Sequence, residues 1–279
     1  MLIRKQDIGV LLLNCLGYSR TRNRAMRRQN VPVVRILVFH DITPEAQQNF
    51  RQKLFYLKAA TNVVSLDNFL LGELSLDRVN IVITFDDGYK SWSSFAGPLL
   101  KQLGLPATFF VSSGFLDLSA DEEERFIRHN LATNERTSGG LSAGELQALA
   151  ADGFSIGGHT RSHVNLGTMQ DADRVRKEVL TDRLKLESLV GGQVKHFAYP
   201  FGAHQNSRVD LPTILADSGY VTASTTLPGC NLRSANPYLL FRDLTGTPMP
   251  LFVFRARVSG AYDGVMRLKS LRKRLARAP

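Results

Sequence analysis

The sequence predicts a single α/β domain built as a parallel barrel. Three observations support this prediction: short apolar runs rich in β-branched residues recur, helical patterns lie between them, and no repeat or linker divides residues 31–265. Apolar runs without alternation are typical of strands that are covered on both faces. Regular alternation of such strands with helices over this length favours a parallel α/β architecture, most simply a barrel.

Six strands and four helices can be placed from these patterns. The strand-like runs cover residues 33–39, 79–85, 107–111, 154–158, 196–199 and 220–223. Apolar residues at steps of three and four predict helices over residues 44–57, 91–103, 142–151 and 172–190. Ser142-x-x-Glu145 resembles a capping box at the start of one helix. The polar clusters follow the predicted strands, and the carboxyl ends of the strands carry the chemistry of parallel barrels.

The composition excludes several other classes of protein. With 43% hydrophobic and 22% charged positions, the 279-residue chain is neither disordered nor collagen-like. The two cysteines, Cys15 and Cys230, lie far apart, so neither a disulfide framework nor a thiolate zinc site is predicted.

The net charge of +10 is concentrated at the two ends of the chain. Residues 1–35 and 251–279 carry +7 each, which leaves −4 for residues 36–250. We therefore predict a basic, partly apolar helix within residues 1–30 and a basic tail over residues 266–279. These segments either contact an anionic membrane surface or are simply solvated. Nucleic acid is not an expected partner, because the basic segments lack interleaved aromatic residues.

The first candidate cluster is Asp86-Asp87-Gly88, directly after a predicted strand. Successive strand residues point to opposite faces, so the two carboxylates can take separate roles, and the glycine lets the backbone turn. One carboxylate can bind a cation while the other acts as a base. Alone, Asp-Asp-Gly is more typical of a capped turn or a salt-bridged pair.

A second cluster places His159 and His163 four residues apart after the strand over residues 154–158. Side chains with this spacing can face one point. Two imidazoles and one carboxylate give three ligands and leave a position open for water, as in catalytic zinc sites. The pattern alone is common among surface histidines, but its pairing with Asp-Asp-Gly favours a Zn²⁺ site, with another divalent transition metal as the alternative.

Two more strand ends carry candidate residues. The irregular backbone expected around Pro200 and Gly202 can present an N–H group to a developing oxyanion. His40 follows the first predicted strand and can act as a general acid. The aromatic side chains expected to contact a sugar are those of Phe197, Tyr199 and Trp92. The alternative for the segment around Pro200 and Gly202 is a strand followed by an ordinary turn. The alternative for His40 is a histidine that is simply packed or hydrogen-bonded.

Taken together, these segments resemble the polysaccharide deacetylase family, also known by its NodB homology domain. Three segments resemble its first three motifs, and two resemble its biofilm poly-N-acetylglucosamine deacetylase branch, within a similarity that covers about residues 33–245. The first three are Thr84-Phe85-Asp86-Asp87-Gly88, His159-Thr160-x-x-His163 and Phe197-Ala198-Tyr199-Pro200-Phe201-Gly202. The other two are Val38-Phe39-His40-Asp41-Ile42 and Ala107-Thr108-Phe109-Phe110-Val111.

The resemblance implies a distorted (β/α) barrel of the polysaccharide deacetylase type and a divalent metal, usually zinc. The implied reaction removes the acetyl group from an N-acetylated amino sugar. The implied roles are general base for Asp86, metal ligand for Asp87, His159 and His163, general acid for His40, and backbone oxyanion donor for Phe201.

The sequence also departs from the family pattern. Many members have an arginine in the third motif that orients the base aspartate, but Ala198 stands in the matching place. Arg242 follows another apolar run and is predicted to supply the guanidinium instead. No fourth motif and no Leu-x-His fifth motif is found, so the acid is unassigned unless His40 provides it.

The predicted function is a metal-dependent hydrolase that removes the N-acetyl group from an amino sugar in a polysaccharide or its biosynthetic precursor. One alternative is a deformylase or deacetylase of a lipid-linked amino sugar, and another is a non-catalytic glycan-binding barrel that needs no metal. Basic termini without a firm export signal favour a cytoplasmic location, peripheral at the inner membrane face, while export through a marginal N-terminal signal stays open.

Overall fold

A computed structural model describes residues 5–133, 135, 137–202, 207–246 and 249–265 of the chain. The predicted basic tail over residues 266–279 lies outside the described residues. The strands are β1 (Val34–Phe39), β2 (Asn62–Val63), β3 (Asn80–Asp87), β4 (Thr108–Val111), β5 (Ser155–Gly158), β6 (His196–Ala198), β7 (Thr222–Ser224) and β8 (Arg242–Leu244). The helices are α1 (Lys5–Cys15), α2 (Tyr18–Arg28), α3 (Gln47–Ala60), α4 (Leu66–Leu71), α5 (Gly97–Leu103), α6 (Ala120–His129), α7 (Ala143–Ala151), α8 (Ala172–Val190), α9 (Leu211–Asp217) and α10 (Leu251–Val258).

The strands form one parallel sheet that curls into a nearly closed barrel. Their order is β7-β6-β5-β4-β3-β1-β8, and β2 pairs with the beginning of β3. A parallel bridge between Ser224 and Leu240 brings the segment before β8 against β7. The predicted parallel barrel is therefore confirmed. The six predicted strands correspond to β1 and β3–β7, whereas the patterns missed the short β2 and β8.

Apolar side chains cover both faces of the strands, as the unalternated runs predict. Val34, Ile36 and Val82 belong to a buried cluster that also contains Phe110 of β4. The intervening residues of the same strands, such as Phe39 and Phe85, belong to a larger cluster that includes the helices. Because side chains alternate along a strand, these clusters lie on opposite faces of the sheet.

The N-terminal region contains two helices rather than the single predicted one. Gly17 separates α1 from α2 with a left-handed φ of 76°, which a residue with a Cβ adopts less readily. Val10 of α1 is fully buried against Ala256, which lies in α10, and Ala261, which follows α10. Within the described ranges, no helix is both long and apolar enough to cross a bilayer.

A buried ion network joins this helical pair to the barrel. Arg35 of β1 binds both carboxylate oxygens of Asp243 in β8, at 2.8 and 2.9 Å. The same guanidinium contacts Asp263, which also pairs with Arg22 of α2 at 2.8 Å. Burial alone disfavours these charges, and their mutual contacts offset that cost. The network fixes α2 beside the amino end of β1, at the opposite end of that strand from His40.

Lys53 of α3 gives a stability prediction that depends on pH. Its ammonium group donates to the carbonyl of Gly246 at 3.1 Å, and burial lowers its pKa from 10.5 to about 7. Between these two values the unfolded state binds more protons than the folded state, so stability rises with pH in this window. The unfolding free energy of the wild type should increase between pH 7 and pH 9. In a Lys53→Met variant we expect this increase to be smaller by about 1–3 kcal/mol.

Urea unfolding at the two pH values measures this difference. Lys58→Met on the same helix is the matched control, because Lys58 is exposed. The control is expected to retain the wild-type gain. An equal pH dependence in Lys53→Met and wild type would contradict the prediction.

Candidate active site

Six of the seven residues predicted to be catalytic or to bind a metal line one cavity of about 440 Å³ at the carboxyl ends of the strands. Its wall contains side chains at the ends of β1, β3, β5 and β8, together with four side chains from the segment after α6, those of residues 131, 133, 135 and 137. The lining residues are His40, Asp41, Thr43, Asp86, Asp87, Tyr89, Leu131, Thr133, Glu135, Thr137, His159, His163, Phe201, Thr226 and Leu244. The position agrees with the rule that parallel barrels carry their chemistry at this edge.

Asp87, His159 and His163 form a compact buried cluster within this cavity. The Nε2 atoms of His159 and His163 lie 3.4 and 3.2 Å from Oδ1 of Asp87. Burial alone would raise the pKa of Asp87, but hydrogen bonds from the two imidazoles hold it well below its usual value. The same contacts with Asp87 raise the pKa of His163 against the opposing effect of burial.

Backbone carbonyl groups fix the orientation of both imidazole rings. Nδ1 of His159 lies 2.7 Å from the carbonyl oxygen of Ala198, and Nδ1 of His163 lies 2.8 Å from that of Asn130. A carbonyl oxygen can only accept, so each Nδ1 carries a proton and each Nε2 faces Asp87. Outer contacts of this kind are typical of histidines that bind metals.

This donor set fits a zinc ion. In a tetrahedral zinc site with ligand distances of about 2.0–2.1 Å, two ligand atoms lie about 3.3 Å apart. The two separations from Asp87 Oδ1, 3.4 and 3.2 Å, agree with that value. Two neutral imidazoles and one carboxylate also match the ligand types that zinc prefers.

Unusual backbone conformations are concentrated at the same place. Asp87, Thr160, His163 and Phe201 have φ values of 94°, 61°, 52° and 58°, in the left-handed region that residues with a Cβ rarely adopt. Each such residue costs of the order of 1 kcal/mol or more, so the surrounding contacts must compensate. This strain turns Asp87 toward the imidazoles and brings Phe201 to the rim of the cavity.

Asp86 lies next to the cluster and is paired with Arg242, which the sequence analysis selected as its partner. Nη1 and Nη2 of Arg242 donate to the two carboxylate oxygens of Asp86, each at 2.7 Å. Burial alone would raise the pKa of Asp86, but the charge and hydrogen bonds of Arg242, together with the nearby histidines His159 and His40, lower it below its usual value. Asp86 is therefore a carboxylate at neutral pH and is held in one orientation by a bidentate contact.

Removal of this guanidinium is expected to shift the pH dependence of activity. Without Arg242, the buried carboxyl of Asp86 loses its main charge partner, so its pKa rises and it is protonated at higher pH. We expect Arg242→Ala to move the acid limb of the rate profile to higher pH and to lower turnover at pH 7 by about tenfold or more. Arg242→Lys should restore part of the rate, since one charge returns without the bidentate contact.

Rate profiles of kcat/KM between pH 5 and 9 measure this effect. Arg176→Ala serves as the control, because Arg176 pairs with Asp217 on the exposed surface. A profile of Arg242→Ala that coincides with that of the wild type would exclude the positioning role.

His40 and Phe201 complete the wall of the cavity. The half-buried His40 follows β1, and its carbonyl oxygen accepts a hydrogen bond from Nε1 of Trp92 at 3.1 Å. The ring of Phe201 is 48% exposed and packs edge-on against His163, with 4.7 Å between the ring centroids. Both residues thus border the space beside the Asp87 cluster.

All three residues predicted to bind the sugar are in the wrong place for that role. Trp92, Phe197 and Tyr199 are fully buried and belong to the hydrophobic core. Trp92 stacks on Phe109, and the hydroxyl of Tyr199 donates to the carbonyl of Tyr238. Their rings cannot contact a ligand in the cavity, so we correct this assignment: they support the residues that line it.

Asp182 of α8 is a site residue that the sequence analysis missed. Its two carboxylate oxygens accept from the backbone N–H groups of Ser113 and His159, at 2.8 and 2.9 Å. It therefore fixes the start of the loop that carries the two imidazoles. In a sequence, an aspartate within a helical pattern is interpreted as a surface residue. The structure instead shows Asp182 fully buried, where it accepts these two hydrogen bonds.

Asp41 and Tyr89 were also not assigned a role from the sequence. Asp41 accepts hydrogen bonds from the hydroxyls of Ser91 and Ser138, which ties the loop after β1 to two other loops of the cavity. Tyr89 lines the cavity next to Asp87, and burial together with the charge of Asp87 raises the pKa of its hydroxyl. Tyr89 is therefore a neutral hydrogen-bond donor in the cavity wall.

Comparison with known proteins identifies the family. A model of the family described as "Polysaccharide deacetylase" matches residues 75–222, which is more than half of the chain. The chain belongs to the polysaccharide deacetylase family. The protein named "Putative polysaccharide deacetylase YxkH" of Bacillus subtilis is 25% identical over 162 residues, which are 58% of this chain and 50% of that protein. The chain thus spans about half the length of this curated relative.

Several solved structures share the fold. The BpsB deacetylase domain from Bordetella bronchiseptica has a TM-score of 0.64 at 19% identity, covering 77% of this chain and 96% of that one. IcaB from Ammonifex degensii has a TM-score of 0.62 at 21% identity, with 81% and 97% covered. The deacetylase PplD from Streptococcus pyogenes, solved with acetate, has a TM-score of 0.65 at 20% identity, with 82% and 99% covered. The polysaccharide deacetylase barrel that the motifs imply is therefore confirmed.

Proposed function

We propose that this polysaccharide deacetylase is a metal-dependent hydrolase that removes the acetyl group from an N-acetylated amino sugar in a glycan or its precursor. One observation carries the proposal: an ionised Asp86, paired with Arg242, borders the same cavity as the cluster of Asp87, His159 and His163. A base beside a three-ligand set in an open cavity is the arrangement that hydrolysis of an amide requires.

The metal would be held by Asp87 and by Nε2 of His159 and His163, and Zn²⁺ is the ion that fits their spacing. When bound, such an ion lowers the pKa of a coordinated water and polarises the carbonyl group of the substrate. The chain supplies three donors, so one position of a tetrahedral site stays available for water or substrate.

Asp86 is proposed to act as the general base. Its carboxylate accepts a proton from the attacking water while the water oxygen forms a bond to the acyl carbon. The contact with Arg242 keeps this carboxylate ionised and oriented before the proton arrives.

His40 and Phe201 are proposed to act on the other two atoms of the amide. The backbone N–H of Phe201 stabilises the negative charge that develops on the acyl oxygen. His40 donates a proton to the sugar nitrogen as the carbon–nitrogen bond breaks, which releases acetate and a free amine. The exposed ring of Phe201 offers an apolar surface to one face of the sugar.

The competing function, a glycan-binding barrel without catalysis, is disfavoured by the same geometry. Its expected sugar platforms at Trp92, Phe197 and Tyr199 are buried, whereas the polar groups of the cavity are paired and oriented. A binding module has no need of a buried base held by a bidentate arginine.

A release assay tests the proposed function and its alternatives together. Zinc-loaded protein is incubated with polymeric, nucleotide-linked and lipid-linked N-acetyl and N-formyl amino sugars, and acetate and formate are quantified. Acetate release that disappears with a chelator and returns with Zn²⁺ is expected. Release of formate alone would replace the deacetylase by the deformylase alternative. Tight binding of glycan without release, by protein of verified zinc content, would overturn the proposal in favour of the binding module.

A further inference from the structure

Helix α1 presents an apolar stripe to solvent, formed by Ile8, Leu12 and Leu16. These side chains are 50%, 60% and 80% exposed. Their spacing of four residues places them on one face, and the backbone bond from Leu16 N to the carbonyl of Leu12 extends the helical geometry to the last of them. A row of three large aliphatic side chains in water is unfavourable unless another apolar surface covers it.

The stripe belongs to a firmly packed element. The opposite side of α1 buries Val10 against the chain segment at and after α10. The following α2 is held by Asn23, whose Nδ2 donates to the carbonyl of Ser259 at 3.1 Å, and by the ion pair of Arg22 with Asp263. Helix α1 is therefore apolar on two faces, and one of them lies against the protein while the other has no partner among the described residues.

Helices α1 and α2 together form the α1–α2 hairpin, and α2 carries a concentrated positive charge. Arg20, Arg24, Arg27 and Arg28 of α2 are exposed and follow the helical spacing of one face. None of these four guanidinium groups forms an ion pair with the described part of the chain, in contrast to Arg22. The sequence between residues 8 and 40 contains no Asp or Glu at all.

An apolar stripe that ends at Leu16 and an arginine face that begins at Arg20, on either side of the turn at Gly17, define the chemistry of a partner. We propose that the α1–α2 hairpin docks on the surface of an anionic phospholipid bilayer. The stripe enters the boundary between headgroups and acyl chains, and the arginines of α2 contact the phosphates. This docking does not depend on the proposed hydrolysis, because none of its residues lines the cavity.

Charge favours a bilayer over the two other possible occupants of the stripe. A second copy of this chain would bring two arginine-rich faces together. The tail over residues 266–279 carries six basic residues and no acid, namely Arg267, Lys269, Arg272, Lys273, Arg274 and Arg277. Either occupant places like charges side by side, whereas an anionic lipid surface supplies opposite charge to the arginines.

Vesicle flotation with the full chain tests the proposal. Wild-type protein is mixed with vesicles of phosphatidylglycerol and phosphatidylcholine, or of phosphatidylcholine alone, at 0.05 and 0.5 M salt. We expect flotation with the anionic vesicles, much less with the neutral ones, and a decrease at high salt. The double variant Leu12→Ser/Leu16→Ser should lower binding at least tenfold, and Arg24→Gln/Arg28→Gln should reduce it and flatten the salt dependence.

The matched control is Leu180→Ser/Leu184→Ser on α8, which removes two exposed leucines with the same spacing. It should float like the wild type. Circular dichroism and thermal unfolding verify that each variant is folded. Equal flotation of wild type and Leu12→Ser/Leu16→Ser would overturn the proposal, as would flotation that appears only after removal of residues 266–279. A dimer that Leu12→Ser/Leu16→Ser dissociates, without vesicle binding by the wild type, would assign the stripe to a second copy instead.

Discussion

Replacement of Asp86 by Asn is expected to abolish turnover while zinc stays bound. The amide occupies the same volume as the carboxyl but cannot accept the proton of the attacking water. General base catalysis contributes about 10²–10⁴-fold to rate, so we expect acetate release to fall by roughly a thousand-fold. The three donors at Asp87, His159 and His163 are unchanged, so the zinc content of the purified protein should remain near that of the wild type.

Metal analysis and acetate release on the same preparation separate these two effects. Asp217→Asn is a suitable control, since Asp217 is exposed and does not line the cavity. It should match the wild type in both measurements. Asp86→Asn protein that keeps at least a tenth of the wild-type rate would show that another group takes the proton.

Much of the barrel can be predicted from the sequence because its strands are fully buried. The unalternated apolar runs around β1, β3 and β4 leave no polar face, and only a parallel sheet covered by helices or its own interior explains such runs. The strands that were missed, β2 and β8, are two and three residues long. Arg242 and Asp243 fall within β8. Charged residues are not typical of a buried strand, and the sequence does not show that these two charges are paired inside the protein.

The candidate metal cluster can be predicted for a different reason. Only a few residue types bind zinc, and Asp and His are among them. The chemistry also requires these residues at a definite spacing at strand ends, as Asp87, His159 and His163 are. Arg242 was also selected, because Ala198 stands where many family members have an arginine and Arg242 follows another apolar run. The contact of Asp182 with the backbone of His159 has no such signature, because a side chain that binds backbone N–H groups leaves no pattern in the sequence.

The aromatic residues show why composition alone misleads about a binding surface. Phe197 and Phe201 belong to the same short motif, yet one is fully buried and the other is 48% exposed. The difference arises where the chain leaves β6: Phe197 points from the strand into the core, whereas the left-handed conformation at Phe201 turns its ring outward. A sequence shows which aromatic residues could contact a ligand, and the path of the backbone decides which of them reach the cavity.

Replacement of Asp87 by Ala is expected to remove metal and activity together. The variant leaves only two imidazoles and takes away the negative charge that both of them face. Loss of an outer partner of a metal ligand already costs about 10–100-fold in affinity, so loss of the ligand itself should lower zinc affinity by about a hundred-fold or more. We expect purified Asp87→Ala protein to contain little zinc and to release no measurable acetate.

Titration with zinc distinguishes this variant from Asp86→Asn. Excess Zn²⁺ should restore part of the activity of Asp87→Ala, because two imidazole ligands remain, but none of the activity of Asp86→Asn, whose metal site is already filled. The roles assigned to the two neighbouring aspartates thus predict opposite responses to added zinc. If added zinc rescues Asp86→Asn and leaves Asp87→Ala inactive, the roles of the two carboxylates are exchanged. If Asp87→Ala retains both full zinc content and full turnover, the ion binds elsewhere and the assignment of this cluster as the metal site fails.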